Sequence, residues 1–258
     1  MKERIMIVLT PYESRRLIAK AVSALPSVQS AKERGWVVVA TGSSTGYVAE
    51  EITGQPMIKE NFISGHITEG ETWSTPDNPD YIFPVVLHKG ERKMMKFEEA
   101  LSQYGADDVF IKGANAVDPQ FFAAIMMASS VGGTIGAALG TLQARGSQLI
   151  IPVGLEKLIP SVPEAVKHTG IHTYSWVTGT AVGMMPVINA TVVTEIQALY
   201  TLCGVEVWHV GSGGIAGSEG AVTLVAEGTA AQIAQARKVI EAVKGEVPLK
   251  RPNGTPRH

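Results

Sequence analysis

The sequence has a single cysteine, almost no net charge and no long run of apolar residues. With Cys203 alone no disulfide can form within the chain, so we expect a reducing, cytoplasmic location. A formal net charge of -2 gives no overall field that would attract nucleic acid or an anionic membrane. No stretch approaches the roughly 18 apolar residues that a membrane-spanning helix needs. The sequence therefore predicts a soluble protein that binds neither nucleic acid nor membranes.

The composition is that of a folded globular protein. Hydrophobic residues make up 45% of the 258 residues and charged residues 18%, which is enough apolar surface to build a large core. The basic cluster near the C-terminus is best interpreted as a solvated end of the chain; it consists of Lys250, Arg251, Arg257 and His258.

No pattern of metal ligands or reactive thiols is evident. His168 and His172 are four residues apart, but Gly170 between them interrupts the helix that would align the two imidazoles. Cys203 ends an apolar helical pattern and has no histidine or asparagine near it in sequence, which favours core packing. We therefore predict no metal site and no cofactor.

Strand-like and helix-like patterns alternate over residues 1–178. The runs 36–40 and 109–112 are continuous apolar segments, typical of strands that are buried on both faces. Thr10-Pro11-Tyr12-Glu13 combines an N-cap hydroxyl, a first-turn proline and a capping carboxylate, and so predicts a helix start. Apolar spacing predicts a further helix over 121–126. This alternation predicts an α/β fold with a mainly parallel, Rossmann-like sheet, helices on both faces, and ligands at the carboxyl ends of the strands.

After residue 178 the order changes to βαββα, which resembles a ferredoxin-like α+β unit. The predicted strands cover 182–188, 205–210 and 221–227, and the predicted helices cover 191–202 and 229–243. The chain is thus divided into an α/β ligand-binding domain (1–178), an α+β ferredoxin-like unit (179–246) and a flexible tail (247–258). The turn-rich stretch 53–84 is either a lid or an excursion of the chain.

A loop of glycines and hydroxyl residues follows the strand 36–40. In Thr41-Gly42-Ser43-Ser44-Thr45-Gly46 the glycines allow a sharp turn, and the hydroxyls and free amides then face whatever lies at the start of the next helix. Amide hydrogens and the helix dipole both favour a negative charge there. The loop is neither a Walker loop nor a dinucleotide fingerprint. We interpret it as an anion-binding loop, with simple helix capping as the alternative.

A second polar loop follows the strand 109–112. Lys112 supplies an ammonium that can clamp an anion, Asn115 supplies an amide, and Asp118 supplies a carboxylate that can act as a base or hold a hydroxyl. The alternative for Asp118 is turn formation, since Asp-Pro favours turns. Gly132-Gly133-Thr134 opens a later helix and is a weaker candidate for a second anion site.

The glycine-rich segment beginning at Gly211 matches G-x-G-x-x-A, but a strand follows it where the dinucleotide motif requires a helix. We therefore interpret it as a hairpin loop.

Two of these loops together resemble the superfamily of ribose-5-phosphate isomerase A, glucosamine-6-phosphate deaminases, DeoR-type sugar-phosphate sensors and coenzyme A transferases. Thr41 to Tyr47 is similar to the T-G-S-T loop of that family, and Gly113-Ala-Asn-Ala-Val-Asp-Pro119 is similar to the isomerase G-A-D-E-V-D-P. The resemblance covers roughly residues 30–155. It implies a phosphate cradle in the first loop and sugar-hydroxyl contacts from Gly113 and its neighbours in the second.

The same comparison shows where this chain differs from the isomerases. Asn115 and Ala116 replace adjacent acidic residues, and the helix after Gly132-Gly133 lacks the Glu-Lys pair. An enediol mechanism needs a base near the carbon acid. That base would have to come from outside the loops; the candidates are Glu69, Glu71, Asp107 and Asp108.

Three functions remain open from the sequence. The first is an isomerase- or deaminase-like enzyme acting on a phosphorylated small molecule, with Lys112 and Asp118 as catalytic residues. The second is a non-catalytic sensor that uses the same cradle. The third is a coenzyme A transferase, for which Glu219 is the one residue in a suitable glycine-rich setting. Each predicts a small anionic metabolite as ligand and a homo-oligomer as the assembly.

Overall fold

The structure is a computed structural model that describes residues 2–74 and 78–253. Arg257 and His258, part of the basic cluster predicted to be a solvated end, lie outside the described residues. No helix in these two ranges has both the length and the apolar character needed to cross a membrane.

The structure contains helices throughout the chain and strands in several sheets. The helices are α1 (Pro11–Ala24), α2 (Pro26–Arg34), α3 (Ser43–Thr53), α4 (Phe97–Leu101), α5 (Gly133–Arg145), α6 (Val162–Ala165), α7 (Glu195–Cys203) and α8 (Ala230–Glu241). The strands are β1 (Lys2–Leu9), β2 (Trp36–Val39), β3 (Gly65–Thr68), β4 (Glu71–Ser74), β5 (Val85–His88), β6 (Glu91–Arg92), β7 (Val109–Ile111), β8 (Ala116–Val117), β9 (Ala123–Met127), β10 (Gln148–Pro152), β11 (Gly183–Val187), β12 (Thr191–Val193), β13 (Glu206–Ser212) and β14 (Val222–Thr229). Short 3-10 turns cover Lys59–Phe62, Leu155–Lys157 and Val166–His168.

A mixed six-stranded sheet in the order β12-β10-β7-β2-β5-β6 forms the centre of the fold. The pairings from β12 to β2 are parallel, and β5 and β6 add an antiparallel edge. In the parallel register Val39 lies opposite Ile111, so β2 and β7 end side by side. The two loops that the sequence singled out, after 40 and after 112, therefore begin at the same edge of the sheet.

Both faces of this sheet are covered, as the continuous apolar runs predict. Val37 and Val39 point into one core, which the helices α1 and α3 complete, while Val38 points into the opposite core, which α4 and α5 complete. Helix α1 begins with the predicted capping box, since Thr10 and Glu13 each accept the backbone N–H of the other. The prediction of a mixed α/β fold is thus confirmed.

The smaller sheets combine parts of the chain that are far apart in sequence. Strand β1 pairs with β14, which pairs with β13, so the three-stranded sheet β1-β14-β13 joins both ends of the chain. Strand β12 belongs to the six-stranded sheet instead. The boundary suggested near residue 178 therefore runs between strands that are paired in the structure. The antiparallel pairing of β13 with β14 confirms the hairpin predicted at Gly211.

One predicted helix is wrong, and a second begins later than predicted. Residues 121–126 were assigned to a helix, but Ala123–Met127 forms strand β9, which pairs with β8 and β11. The helix predicted over 191–202 is divided: β12 comes first, and Thr194 then caps α7 in a second capping box. In both places pairing with distant strands overrides the local apolar spacing.

The turn-rich stretch and the tail both lie against the body of the protein. The hairpin β3-β4 is attached through Thr72. Its amide donates to the carbonyl of Thr178, and its carbonyl accepts the amide of Thr180. Gly179, which lies between these two residues, packs closely against the Thr72 backbone. In the segment predicted to be a flexible tail, the amide of Lys250 donates to Glu60, and Asn253 donates to Asp80. The described part of the tail therefore lies across the hairpin region as a strap, here defined as residues 247–253.

Candidate functional site

A cavity of about 580 Å³ opens at the edge of the sheet where β2 and β7 end. It brings together the two candidate loops, the start of α5, the hairpin β3-β4 and the strap. Most of the residues predicted from sequence line it: Thr41, Gly42, Ser43, Ser44, Lys112, Gly113, Asn115, Gly132, Gly133 and Thr134. Thr45 and Asp118 are not among the lining residues.

The loop 41–46 presents the open start of helix α3 to the cavity. Gly42 is the N-cap in an extended conformation, and no side chain caps the helix. The amide of Gly42 donates to the carbonyl of Phe62 at 2.7 Å. The first-turn amides of a helix have no acceptor within the helix, so those of Ser43 and Ser44 are available for a ligand, and both residues line the cavity.

The hydroxyls of this loop have different roles. The Thr41 hydroxyl is fixed at 3.0 Å from that of Ser64, and Tyr81 donates to it at 3.1 Å. Thr45 is buried and donates to the carbonyl of Gly42 at 3.1 Å, so it shapes the turn and does not reach the cavity. Ser43 and Ser44 are the residues that offer a hydroxyl together with a first-turn amide.

Helix α5 opens into the same cavity in a similar way. Its N-cap, Gly132, has φ +82° and Gly133 has φ +56°, a conformation that favours glycine. No side chain caps this helix either. Thr134 follows at the cavity wall. Two uncapped helix starts therefore direct positive dipole ends at one cavity.

Lys112 follows directly after β7, lies in the wall of the same cavity and is mostly buried. Its Nζ atom is 3.4 Å from the carbonyl oxygen of Thr41 and 3.5 Å from that of Gly113. No carboxylate among the described residues pairs with it. Burial lowers the pKa of Lys112 to about 8.

Asn115 lines the cavity, and strand β9 holds it in place. Its side-chain Oδ1 accepts the backbone amide of Met126 at 2.9 Å, and its backbone amide donates to the carbonyl of Ala124. The Nδ2 group is left as the donor that this residue can offer to a ligand.

Asp118 lies outside the cavity and stabilises the loop. Its Oδ1 accepts the amides of Gln120 and Phe122, both at 3.0 Å, and its Oδ2 accepts the amide of Val162 at 2.9 Å. The side chain is buried. The structure thus places Asp118 in the turn-forming role that was its alternative, and not in the predicted role of a base.

The other carboxylates considered from the sequence do not line the cavity either. Asp108 is buried and accepts the amides of Trp36 and Gly105. Glu69 accepts from Arg251 at 2.6 Å, while Glu219 is exposed in the β13-β14 loop and accepts the amide of Gly217. Glu71 and Asp107 are also absent from the lining of the cavity.

Several lining residues were not singled out from the sequence as ligand contacts. The basic ones are Arg15 on α1, Lys157, and Lys250 and Arg251 in the strap, and the aromatic ones include Tyr12, His66 and Trp73. Burial, with the neighbouring Arg251, lowers the pKa of His66. No local motif marks these side chains, because they come from elements far apart in sequence.

The charges at the cavity have one sign. Lys112 and the four other cations just named line it, and no aspartate or glutamate among the described residues does. Three of the five have carboxylates outside the cavity: Glu156 lies 3.7 Å from Arg15 and 2.9 Å from Lys157, and Glu69 bonds Arg251. An anion entering the cavity would meet cations without a competing carboxylate in the wall.

A pair of carboxyl groups lies next to two of these cations, Arg15 and Lys157. Glu156 and Glu195 are neighbours, and Glu195 accepts the amide of Leu155 at 2.9 Å. Burial acts to raise the pKa of Glu156, but the charges of Lys157 and Arg15 outweigh burial and hold this pKa below its usual range. Burial and the Glu156 charge raise the pKa of Glu195 to about 7.

The described residues contain no group of three or more histidines, cysteines, aspartates or glutamates placed to hold a metal ion. Comparisons with protein-family models, with curated proteins and with solved structures find no match to this chain.

Proposed function

We propose that this protein binds a small metabolite carrying a phosphate or carboxylate group in the cavity between β2, β7 and the strap. The observation that supports the proposal is the lining: five cationic side chains and two uncapped helix starts, with no acidic side chain among the described residues. In a chain of net charge -2, such a concentration of positive charge indicates a site for a negative ligand.

The phosphate position best supported is the start of α3. Ser43 and Ser44 offer amides and hydroxyls there, and Lys112 adds an ammonium from the adjacent strand. A helix start combined with a cation is an effective phosphate site because both favour the charged form of the ligand. The start of α5 offers a second position for a polar or anionic part of the same molecule.

The proposal extends to two finer features of the fold, to the assembly and to the location of the protein. The parallel part of the six-stranded sheet would be the Rossmann-like part. The ferredoxin-like unit was expected within residues 179–246, but its first predicted strand, 182–188, is β11 and pairs with β9, so α7, α8, β13 and β14 would form the unit with β1 instead. The protein would act as a homo-oligomer in the cytoplasm.

An isomerase- or deaminase-like activity is the second candidate. Two titratable groups with lowered pKa values, Lys112 and His66, line the cavity and are suited to accept a proton near neutral pH. A carboxylate base is absent from the described lining, so an enediol mechanism of the isomerase type would have to use one of these two. A sensor would need only the binding part of the site.

The test removes the helix-start amide without removing the helix. Ser43 is the first residue of α3, a position where proline is well tolerated, so Ser43→Pro deletes one amide donor and the hydroxyl. Ser43→Ala, which deletes the hydroxyl alone, is the matched control. Calorimetric titration with ribose 5-phosphate and with ribose measures whether the phosphate is needed.

We expect ribose 5-phosphate to bind and ribose to bind far more weakly. Ser43→Pro and Lys112→Ala should each weaken binding by at least about tenfold, since a hydrogen bond to a charged group contributes about 1.5–3 kcal/mol. Lys238→Ala, an exposed lysine on α8, should leave binding unchanged. The proposal would be wrong if no phosphate or carboxylate compound bound, or if both site variants bound like the unmodified protein.

A further inference from the structure

Lys112 differs from Arg15, Lys157 and Arg251 in that no carboxylate of the described residues pairs with it. Arg15 and Lys157 share Glu156, and Arg251 has Glu69, whereas within residues 2–74 and 78–253 the contacts of Lys112 Nζ are two carbonyl oxygens at 3.4 and 3.5 Å. These distances are at the long limit of a hydrogen bond. A lysine that serves only as structural support is usually paired, because an isolated buried charge is costly.

We propose that Lys112 forms an imine with the carbonyl group of a small aldehyde or ketone that also carries a phosphate or carboxylate. The inference rests on the proposed anion site, since an uncapped helix start would hold the anionic group while the carbonyl carbon lies against Nζ. Lys112 then acts as a nucleophile as well as a binding residue.

The reaction needs no co-reactant. The lone pair of the neutral amine attacks the carbonyl carbon and forms a carbinolamine, and the carbon–oxygen bond then breaks. The oxygen leaves as water, carrying the two protons that the amine has lost, and a carbon–nitrogen double bond remains. Water reverses the reaction and releases the carbonyl compound.

The surroundings of Lys112 favour the neutral amine that this step requires. With a pKa of about 8, about a fifth of the side chain is neutral at pH 7.4, roughly 200 times the neutral fraction of an ordinary lysine. The titratable side chains that share the cavity are Tyr12 and Arg15 on α1, His66 on β3, Lys157, and Lys250 and Arg251 in the strap. None of the described lining residues is a carboxylate that would stabilise the ammonium.

The placement of the anion sites also matters to the nucleophile. A phosphate at the start of α3 that bonds Nζ directly would raise the pKa of Lys112 again and suppress the attack, so the reacting ligand places its anionic group at the start of α5, the second position proposed above. Amides at the start of α5 offer a position for the anion that does not require the ammonium. The arrangement therefore fits a ligand whose anionic group and carbonyl group are separated, so that the first binds a helix start while the second meets Nζ.

The experiment traps the imine by reduction. The protein is incubated with glyceraldehyde 3-phosphate or with uncharged glyceraldehyde, borohydride is added, and labelled lysines are identified by peptide mass spectrometry. Lys112 should be labelled at least about tenfold more by the phosphorylated probe, as expected for a nucleophile held beside its bound carbonyl group. Inorganic phosphate should compete, and the labelling rate should rise with pH about a midpoint near 8.

Lys112→Arg removes the nucleophile, so it should give no adduct. Mapping on the unmodified protein makes the result independent of how that variant folds. If phosphate binds calorimetrically but label at Lys112 does not exceed label at the exposed Lys238, the imine is refuted and the anion site stands. If phosphate, glyceraldehyde 3-phosphate and the carboxylate glycerate all fail to bind, the proposed function fails, and the imine with it.

Discussion

Replacing Asp118 tests whether this carboxylate stabilises the fold or takes part in chemistry. Its oxygens accept three backbone amides, at 3.0, 3.0 and 2.9 Å, and the side chain is buried. Gln120 is exposed, so its amide can turn to water after the carboxylate is removed. The amide of Val162 is buried and that of Phe122 partly so, and neither has a ready substitute.

The expected loss follows from these two amides. A buried donor left without its acceptor costs about 1–3 kcal/mol, so Asp118→Ala should lower the free energy of unfolding by about 3–4 kcal/mol. For a chain of this length the midpoint of thermal unfolding should fall by roughly 10 °C. Asp118→Asn keeps one acceptor oxygen for Gln120 and Phe122 but turns an amide group toward Val162, so we expect about half of that loss.

Urea unfolding of both variants measures the loss, and calorimetric titration with ribose 5-phosphate measures binding. Binding should stay within about twofold of the unmodified protein at a temperature where the variants are folded, because Asp118 does not line the cavity. If Asp118→Asn were as stable as the original and still abolished binding or turnover, Asp118 would reach the ligand and the structural role argued here would be refuted.

Two further predictions concern the carboxyl pair of Glu156 and Glu195 and the attachment of the hairpin. Because the pKa of Glu195 is raised to about 7, its ionisation in the folded protein is unfavourable, and stability should fall as pH rises from 5 to 8. Glu195→Gln should remove most of that fall, which urea unfolding at several pH values will show; an unchanged pH profile would contradict it. Gly179→Ala places a Cβ 2.2 Å from the Thr72 carbonyl oxygen at φ +86°, so we expect lower stability and faster proteolysis within β3-β4. Gly140→Ala, at an open helical position, should instead stabilise by up to about 1 kcal/mol, and equal behaviour of the two variants would refute the close approach.

The neighbouring position of the two candidate loops could be predicted because it depends on local patterns and one general rule. The runs 36–40 and 109–112 are recognisable as buried strands, and the carboxyl ends of adjacent parallel strands meet at one edge of a sheet. The structure pairs β2 with β7 in parallel and so brings Thr41 and Lys112 together. The sequence also predicted the start of α1, where the capping residues act within a single turn.

Other features depend on partners that are distant in the chain. Strand β9 has a sequence of alanine, isoleucine and methionine without a two-residue period, and only its pairing with β8 and β11 decides its conformation. The role of Asp118 depends on Val162, which lies 44 positions away. Arg15 and Arg251 reach the cavity from opposite ends of the chain, and no spacing rule connects them.

The distribution of charge at the site explains how the chain can keep its cations together. Five positive groups in one lining would repel each other, and Glu156 and Glu69 offset part of this repulsion from outside the cavity. Those carboxylates fix Arg15, Lys157 and Arg251, so little side-chain entropy is lost when an anion arrives. In the part of the chain that the structure describes, no carboxylate pairs with Lys112, and an anionic ligand or the loss of its proton would relieve its buried charge. The same lack of a carboxylate therefore makes Lys112 responsive to an anionic ligand and suited to react as a neutral amine.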